Sequence, residues 1–200
     1  MQLYLIRHGK TQGNQEKRYI GRSDEPLCRE GRWEILHKKE EGVYRGIEKT
    51  EFLFVSPRKR CIQTAELLLP GQEPVSLSHF REIDFGEFEG KNYQELSGNA
   101  RYQEWIDSGG TLPFPGGESR QQFIERCCHG MKQVADYLKE RGADRAVLTL
   151  VVHGGTVMSL LSTLGQDAGD YYDYQCENAG GYLCEFLPER HKPLQIIRNL

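Results

Sequence analysis

Short runs of bulky apolar residues alternate along this chain with longer stretches of helical composition. The apolar runs are rich in β-branched, aromatic and leucine side chains, a pattern typical of strands covered on both faces. The run at 146–152 is the clearest of them, and the last two are expected to form an antiparallel edge. The predicted strands cover residues 3–6, 51–55, 74–79, 146–152, 182–187 and 194–197.

Helices are predicted over residues 31–41, 56–65 and 118–141, with another from about residue 154 to Leu164. In the first, Trp33, Ile35 and Leu36 are expected on the core face. In the second, Ser56 is the expected N-cap and Pro57 the first helical residue, which would direct the positive helix end at a bound anion. In the third, the predicted core residues are Phe123, Cys127, Met131, Val134 and Leu138.

The composition is that of an ordinary globular chain: 200 residues, 38% hydrophobic, 28% charged, with a net charge of −3. This length favours one domain covering residues 1–200. The mild acidity argues against nucleic acid as a partner, and no apolar run is long enough for a membrane span. The six cysteines show no C-x-x-C spacing and the N-terminus has no signal-peptide pattern, so a cytoplasmic protein with reduced thiols and no bound metal is expected.

Polar residues with catalytic potential follow two of the predicted strands. Arg7-His8-Gly9 follows the first strand, and His153-Gly154-Gly155 follows the strand at 146–152. Ligands of open α/β sheets bind at the carboxyl ends of strands, and glycine allows the backbone to approach a bound group. The two histidines therefore predict a phosphate site in which His8 is the nucleophile.

The segment that follows the 74–79 run combines carboxylates, aromatic residues and glycines. Aromatic neighbours can desolvate a carboxyl group and raise its pKa, which makes it a usable general acid near neutral pH. Composition alone does not choose among Glu82, Asp84, Glu87 and Glu89. Beyond them, glycine and proline interrupt short helical pieces, which predicts a lid-like insertion at about 86–117.

Five stretches taken together resemble the histidine phosphatase superfamily, which contains cofactor-dependent phosphoglycerate mutase and the alpha-ribazole phosphatases. The resemblance runs in family order from residue 3 to about residue 164. The stretches are Arg7-His8-Gly9-Lys10-Thr11 with Asn14, Ser56-Pro57-x-x-Arg60-x-x-Gln63-Thr64-Ala65, Arg81-Glu82-Ile83-Asp84-Phe85-Gly86, Pro115-Gly116-Gly117-Glu118-Ser119 and His153-Gly154-Gly155.

This resemblance implies a three-layer α/β/α sandwich with a mostly parallel sheet and an antiparallel edge strand, and a reaction through phosphohistidine without a cofactor. It implies His8 as nucleophile and Glu82 as proton donor. It also implies a phosphate pocket formed by Arg7, Arg60 and His153, additional contacts from Asn14 and the Gly154 backbone, and a contribution of the Gly21 segment to the pocket's shape.

Two positions depart from the family pattern. Lys10 replaces a more usual glutamate, and Arg58 stands where leucine is frequent. Each is expected to add a positive charge beside the pocket, which would favour substrates that bear several negative charges.

The favoured function is hydrolysis of a small phosphate monoester, of the alpha-ribazole phosphate kind or of broad range, by a monomer or homodimer. A phosphoglycerate mutase usually places basic residues in its lid, whereas residues 92–119 contain only Arg101 among aromatic residues that could form walls (Tyr93, Tyr102, Trp105 and Phe114). The mutase remains the alternative, and a non-catalytic domain that binds inorganic phosphate is the second. No nucleotide-binding P-loop or G-x-G-x-x-G motif is present.

Overall fold

A six-stranded sheet forms the centre of the molecule, and the computed structural model describes all 200 residues. Its strand order is β3-β2-β4-β1-β5-β6. Strands β1, β4, β2 and β3 pair in parallel, whereas β5 is antiparallel to both β1 and β6. The predicted mostly parallel sheet with antiparallel pairing at one edge is confirmed. The strands are β1 (Gln2–Arg7), β2 (Phe52–Val55), β3 (Val75–Ser76), β4 (Val147–Val152), β5 (Gly181–Phe186) and β6 (Leu194–Asn199).

Six α-helices accompany the sheet, and none of them has both the length and the apolar character that crossing a membrane requires. The longest, α5, begins after Ser119, whose side chain caps it in a reciprocal capping box with Gln122. The helices are α1 (Gln12–Gln15), α2 (Arg29–Glu40), α3 (Lys59–Leu68), α4 (Ala100–Asp107), α5 (Arg120–Lys139) and α6 (Gly154–Leu164).

Alternation along the central strand β1 produces the three layers. Leu3 and Leu5 point to one face of the sheet, where they join a core with buried residues of α5 and α6. Tyr4 and Ile6 point to the opposite face, where they join a core with residues of α2 and α3. Because successive strand residues face opposite sides, one apolar strand supports both helical layers. The α/β/α sandwich is confirmed, as is the core face of α5.

The predicted core face of α2 is wrong at two of three positions. Ile35 is buried, but Trp33 is 64% exposed and stacks on His37. The helix begins at Arg29, and its buried stripe is formed by Gly31 and Ile35, four residues apart. Trp33 and Leu36 therefore lie on the outer face, away from the sheet.

The predicted strand at 74–79 is shorter than expected. Only Val75 and Ser76 pair with β2, and a 3-10 turn follows at Ser78–Phe80. Phe80 is fully buried in the core, so the chain turns inward at the sheet edge instead of continuing as a strand. This turn delivers the Arg81–Gly90 segment to the carboxyl end of the sheet.

Segment 86–117, the predicted insertion, leaves and rejoins the fold at almost the same place. The amide of Glu87 donates to the Pro115 carbonyl at 2.8 Å, and the amide of Glu118 donates to the Asp84 carbonyl at 2.9 Å. Gly86 has a φ of +52° and lies against Pro115, so any side chain at this position would collide with backbone. These contacts close the segment into a loop whose ends meet.

Candidate active site

Strand register places the two candidate histidines side by side. Arg7 of β1 is paired with Val152 of β4, so the residues that follow, His8 and His153, leave neighbouring parallel strands together. Their ring centroids are 5.1 Å apart with an interplanar angle of 70°. Both are buried, with exposures of 4% and 0%.

The hydrogen bond of His8 fixes which ring nitrogen is free. Its Nδ1 lies 2.7 Å from the carbonyl oxygen of Gly9, which can only accept, so Nδ1 is the protonated nitrogen. Burial lowers the pKa of His8 well below its usual value, and the charges of Arg60 and Arg7 lower it further. The ring is therefore neutral at pH 7, with an unprotonated Nε2.

His153 adopts the opposite tautomer. Arg60 Nε donates to its Nδ1 at 3.3 Å, so Nε2 carries the proton and donates to Ser56 Oγ at 2.7 Å. Burial and the Arg60 charge lower the pKa of His153 well below its usual value. In this arrangement both ring nitrogens already have protein partners, and the ring orients Arg60 rather than presenting a free N–H to the cavity.

The predicted helix start at Ser56 is wrong, because Ser56 binds His153 instead of capping a helix. The Ser56 hydroxyl is bonded to His153 and is not available as a cap, and α3 begins at Lys59 with Arg58 as N-cap. A first-turn amide of the helix, that of Lys59, donates to Asp24 Oδ1 at 2.7 Å. The anion at this helix end is thus a side chain of the protein and not the expected substrate.

Arg60 is 1% exposed and has no carboxylate partner. Its Nη1 donates to the Ser23 carbonyl at 2.8 Å, and its Nη2 faces the carbonyls of Ile20 and Gly21 at 3.3 and 3.4 Å. Gly21 therefore acts on the site by holding Arg60. With the His153 bond these are four acceptors for five N–H groups, and none of the four is a carboxylate, so at least one donor is left without a protein partner.

Arg7 has one buried donor nitrogen that nothing in the protein satisfies. Its Nη1 donates to the Cys176 carbonyl at 2.7 Å, but its Nε is buried without a partner. A side chain at Gly154 would lie 3.2 Å from this Nε, so glycine leaves the space open. Gly154 is also the first residue of α6, whose first-turn amides lack intrahelical acceptors. An anion placed here would satisfy both groups.

Asn14 presents its amide group to the same space. Its Oδ1 accepts from the Thr11 amide at 3.1 Å and from Asn178 Nδ2 at 3.2 Å, which leaves its own NH₂ free. Asn178 Nδ2 also donates to the His8 carbonyl at 3.1 Å. Asn178 is a buried residue that links two site residues, and no pattern in the sequence around it indicates this role.

The structure distinguishes Glu82 from the other three carboxyl candidates. Its Oε1 accepts from the Ile83 amide at 3.0 Å and its Oε2 from the Gly155 amide at 3.4 Å. Burial raises the pKa of Glu82, although these bonds and the charges of Arg60 and Arg7 oppose the rise.

The remaining carboxyl groups are engaged elsewhere. Asp84 lies 3.2 Å from Arg22, Glu87 lies 2.5 Å from Arg101, and Glu89 accepts from the amides of Gly21 and Ser23. Glu82 is therefore the one carboxyl group of the four that bonds to the Gly155 amide and lies close to the charge of Arg7.

A cavity of about 480 Å³ opens above these groups. Of the predicted site residues, Arg7, Asn14, Glu82 and Gly154 line it, whereas His8, Arg60 and His153 are buried behind its wall. Two expected wall residues, Trp105 and Phe114, line it, but Tyr93 and Tyr102 do not. Residues that the sequence did not indicate also line it: Tyr19, Lys17, Arg18, Phe85, Met158, Tyr171, Tyr172 and Arg120.

The expectation for Lys10 is wrong. Its Nζ lies 3.2 Å from a carboxylate oxygen of Glu34 on α2, and Lys10 does not line the cavity. The ion pair directs its charge away from the site. No group of three or more histidine, cysteine, aspartate or glutamate residues is placed to hold a metal ion, and all six cysteines are free thiols.

The fold and the site define a class of α/β proteins with paired imidazoles and guanidinium groups at the carboxyl edge of the sheet. The model of the histidine phosphatase superfamily (branch 1) matches residues 3–196, and the chain belongs to this family. Its relatives bear the names of phosphatases and of mutases.

Two relatives illustrate this division. A Hydrogenobacter thermophilus protein provisionally named phosphoserine phosphatase 2 is 25% identical over 203 residues, covering 98% of this chain and 94% of that protein. A Salmonella paratyphi B protein provisionally named phosphoglycerate mutase GpmB is 30% identical over 168 residues, covering 82% and 74%.

Solved structures share the fold. Thermus thermophilus TTHB049 is 28% identical with a TM-score of 0.71, covering 100% of this chain and 99% of that one. An Escherichia coli K-12 protein provisionally named alpha-ribazole-5'-P phosphatase has a TM-score of 0.79 at 20% identity, covering 98% and 95%.

Proposed function

We propose that this protein is a phosphomonoester hydrolase that acts on a small phosphorylated metabolite through a phosphohistidine intermediate. The observation that supports it most is the state of His8, a neutral ring with Nε2 unprotonated between two arginines. A phosphate dianion repels nucleophiles, and guanidinium groups offset that charge without protonating the imidazole.

In the first step, Nε2 of His8 attacks phosphorus while the bond to the leaving oxygen breaks. The free Nε–H of Arg7, the Gly154 amide and the Asn14 amide group would contact the equatorial oxygens, where the transition-state charge accumulates. Glu82, whose burial raises its pKa and so favours the protonated form, would transfer its proton to the leaving oxygen.

In the second step, the Glu82 carboxylate takes a proton from water as the water oxygen attacks phosphohistidine. The P–N bond breaks, inorganic phosphate leaves and His8 returns to its neutral form. Because Glu82 is protonated again at the end, the cycle is balanced and one carboxyl group serves as acid and then as base.

The cavity wall supports a leaving group with an apolar or aromatic part. Trp105 and Phe114 stack at 4.9 Å with an angle of 29°, and Tyr19 lies edge-on to both at 6.3 Å. Such faces bury flat or apolar groups well. A substrate of the alpha-ribazole phosphate kind fits this wall, as does a broader set of aromatic esters.

Mutase activity is the second candidate, and the cavity contains one feature in its favour. Arg101, the single basic residue of 92–119, pairs with Glu87 and does not line the cavity, whereas Lys17, Arg18 and Arg120 do. These three cations lie outside residues 92–119, the segment on which the sequence-based preference for hydrolysis depends. The Salmonella relative bears a mutase name.

The deciding experiment compares wild type, His8→Ala and His37→Ala, a control that removes an exposed histidine of α2. Wild type and the control are expected to hydrolyse p-nitrophenyl phosphate and to retain acid-labile phosphate after a quench, and His8→Ala to do neither. Efficient conversion of 3-phosphoglycerate with 2,3-bisphosphoglycerate, without phosphate release, would favour the mutase. Phosphate binding without any turnover would favour the non-catalytic alternative.

A further inference from the structure

A second opening lies on the other side of Glu82. It is a cleft of about 410 Å³ lined entirely by polar residues and glycine. Arg22, Arg58, Arg81 and Arg126 line it together with Glu82, which also lines the main cavity. The two openings therefore share the side chain that we propose as the proton donor.

Two of the four arginines are neutralised by carboxylates. Arg126 binds Glu118 through two donors at 2.7 and 3.0 Å, and Arg22 lies 3.2 Å from Asp84. Both acidic partners belong to the cleft itself, so these pairs add little net charge to it.

The other two arginines, Arg58 and Arg81, are not neutralised. Arg81 donates only to the Ser78 carbonyl, at 3.2 Å. The backbone carbonyl of Arg58 accepts from the Cys61 and Ile62 amides, but its guanidinium group makes no hydrogen bond and no ion pair within 4.0 Å, and its Nε is shielded from solvent without a partner. A solvated surface arginine would have each of its N–H groups in water, so the shielded Nε sets Arg58 apart.

The surroundings of Arg58 disfavour its charge. Burial lowers the pKa of Arg58, and the nearby charges of Arg60 and Arg81 lower it further, while Asp24 and Glu89 oppose the change only in part. A cation in such a position is stabilised by an anion that approaches from the open side.

We propose, on the basis of the proposed function, that Arg58 and Arg81 bind a second anionic group of the substrate, a phosphate or a carboxylate. Glu82 protonates the leaving oxygen, and Glu82 borders the cleft, so the leaving group can extend from that oxygen into the cleft. The substrate class is then a phosphate monoester whose leaving group bears another negative charge.

The test uses matched substrates that differ in the second charge: propyl phosphate, 3-carboxypropyl phosphate and propane-1,3-diyl bisphosphate. Wild type is expected to prefer the doubly anionic esters by at least about tenfold in kcat/KM, since one charged hydrogen bond provides this much. Arg58→Leu and Arg81→Leu are expected to reduce that ratio to near one. Lys59→Ala, which removes an exposed cation next to Arg58 that does not line the cleft, is expected to keep it.

Three outcomes overturn the proposal. They are the absence of a preference in wild type, a preference that survives both substitutions, and an equal loss on all three substrates. A further result would assign the cleft to a free anion instead: sulfate changes the turnover of propyl phosphate by wild type but not by Arg58→Leu, and wild type shows no preference for the doubly anionic esters.

A binding measurement separates this proposal from the proposed function. Propane-1,3-diyl bisphosphonate cannot be hydrolysed, and it is expected to raise the melting temperature of wild type more than that of Arg58→Leu. A shift of equal size in both proteins contradicts the cleft assignment, whether or not the protein turns over any ester.

Discussion

His8 and His153 lie beside the same arginine, Arg60, but adopt different tautomers, because each ring makes a different hydrogen bond. The Gly9 carbonyl fixes the proton of His8 on Nδ1, and the Arg60 donor fixes that of His153 on Nε2. The chemistry proposed for His8 follows from this difference, because an unprotonated nitrogen can attack phosphorus only when no protein donor occupies its lone pair. Both ring nitrogens of His153, by contrast, have protein partners, Arg60 on Nδ1 and Ser56 on Nε2.

Replacement of Glu82 by glutamine is expected to affect substrates according to their leaving groups. Turnover of alkyl phosphates should fall by about 10²-fold or more, because their alkoxides need a proton, and turnover of p-nitrophenyl phosphate only by a few-fold. Because the Glu82 pKa is raised, the wild-type rate should decline as pH rises through that pKa, and the variant should lack this decline.

The matched control is Glu87→Gln, in the same segment but paired with Arg101 at the surface. Steady-state rates on a series of esters with different leaving-group pKa values measure the effect. An equal loss across the series would place the acid elsewhere, and Asp84 would be the next residue to test.

At the scale of elements, the ends of β1 and β4 could be predicted from the sequence, whereas the end of β3 and the start of α3 could not. Apolar runs followed by Arg7-His8-Gly9 or His153-Gly154-Gly155 indicate where β1 and β4 end, because burial requires such runs in a parallel sheet. The start of α3 depends instead on a long-range bond, Ser56 to His153, between residues 97 apart in sequence. No local propensity contains that information.

The insertion helix α4 is expected to govern selection of the leaving group. Trp105→Ala removes a stacking face from the cavity and should raise KM for aromatic esters by about tenfold, with little change for propyl phosphate, because aromatic contacts add binding energy to large leaving groups only. Trp33→Ala is the matched control, since Trp33 lies on the outer face of α2. An equal rise in KM for both ester types, or the same effect from Trp33→Ala, would contradict the prediction.

At the scale of the whole molecule, the layers and the family could be predicted from the sequence, but the full cavity could not. Alternation along β1 and the spacing in α5 specify which faces are buried. The cavity wall draws Lys17, Arg120, Tyr171 and Asn178 from segments far apart in the chain. Only the folded topology brings these residues together, so no window of sequence marks them as neighbours.

Stability is expected to fall as the pH is lowered from 7.5 to 5.5. The pKa values of His8 and His153 are lowered in the folded state, so below about 6.5 the unfolded chain binds more protons. Each histidine can contribute up to about 1.4 kcal/mol per pH unit in this window. Urea unfolding at several pH values measures the slope.

The variant His8→Gln isolates the contribution of His8 to this pH dependence. The raised pKa of Glu82 changes stability with the opposite sign, but Glu82 is present in both proteins, so its contribution cancels in the comparison. In the variant, the free energy of unfolding should depend less steeply on pH, by up to about 1.4 kcal/mol per pH unit, the contribution of one titrating group. An unchanged slope would mean that His8 titrates alike in the folded and unfolded chains.

The meeting of both ends of segment 86–117, through Glu87 with Pro115 and Glu118 with Asp84, has a consequence for the history of such a protein. A loop closed at its base can be lengthened, shortened or exchanged while the strands beneath keep their register. Such a change would alter the part of the cavity wall that Trp105 and Phe114 form, while the residues at the strand ends keep their positions.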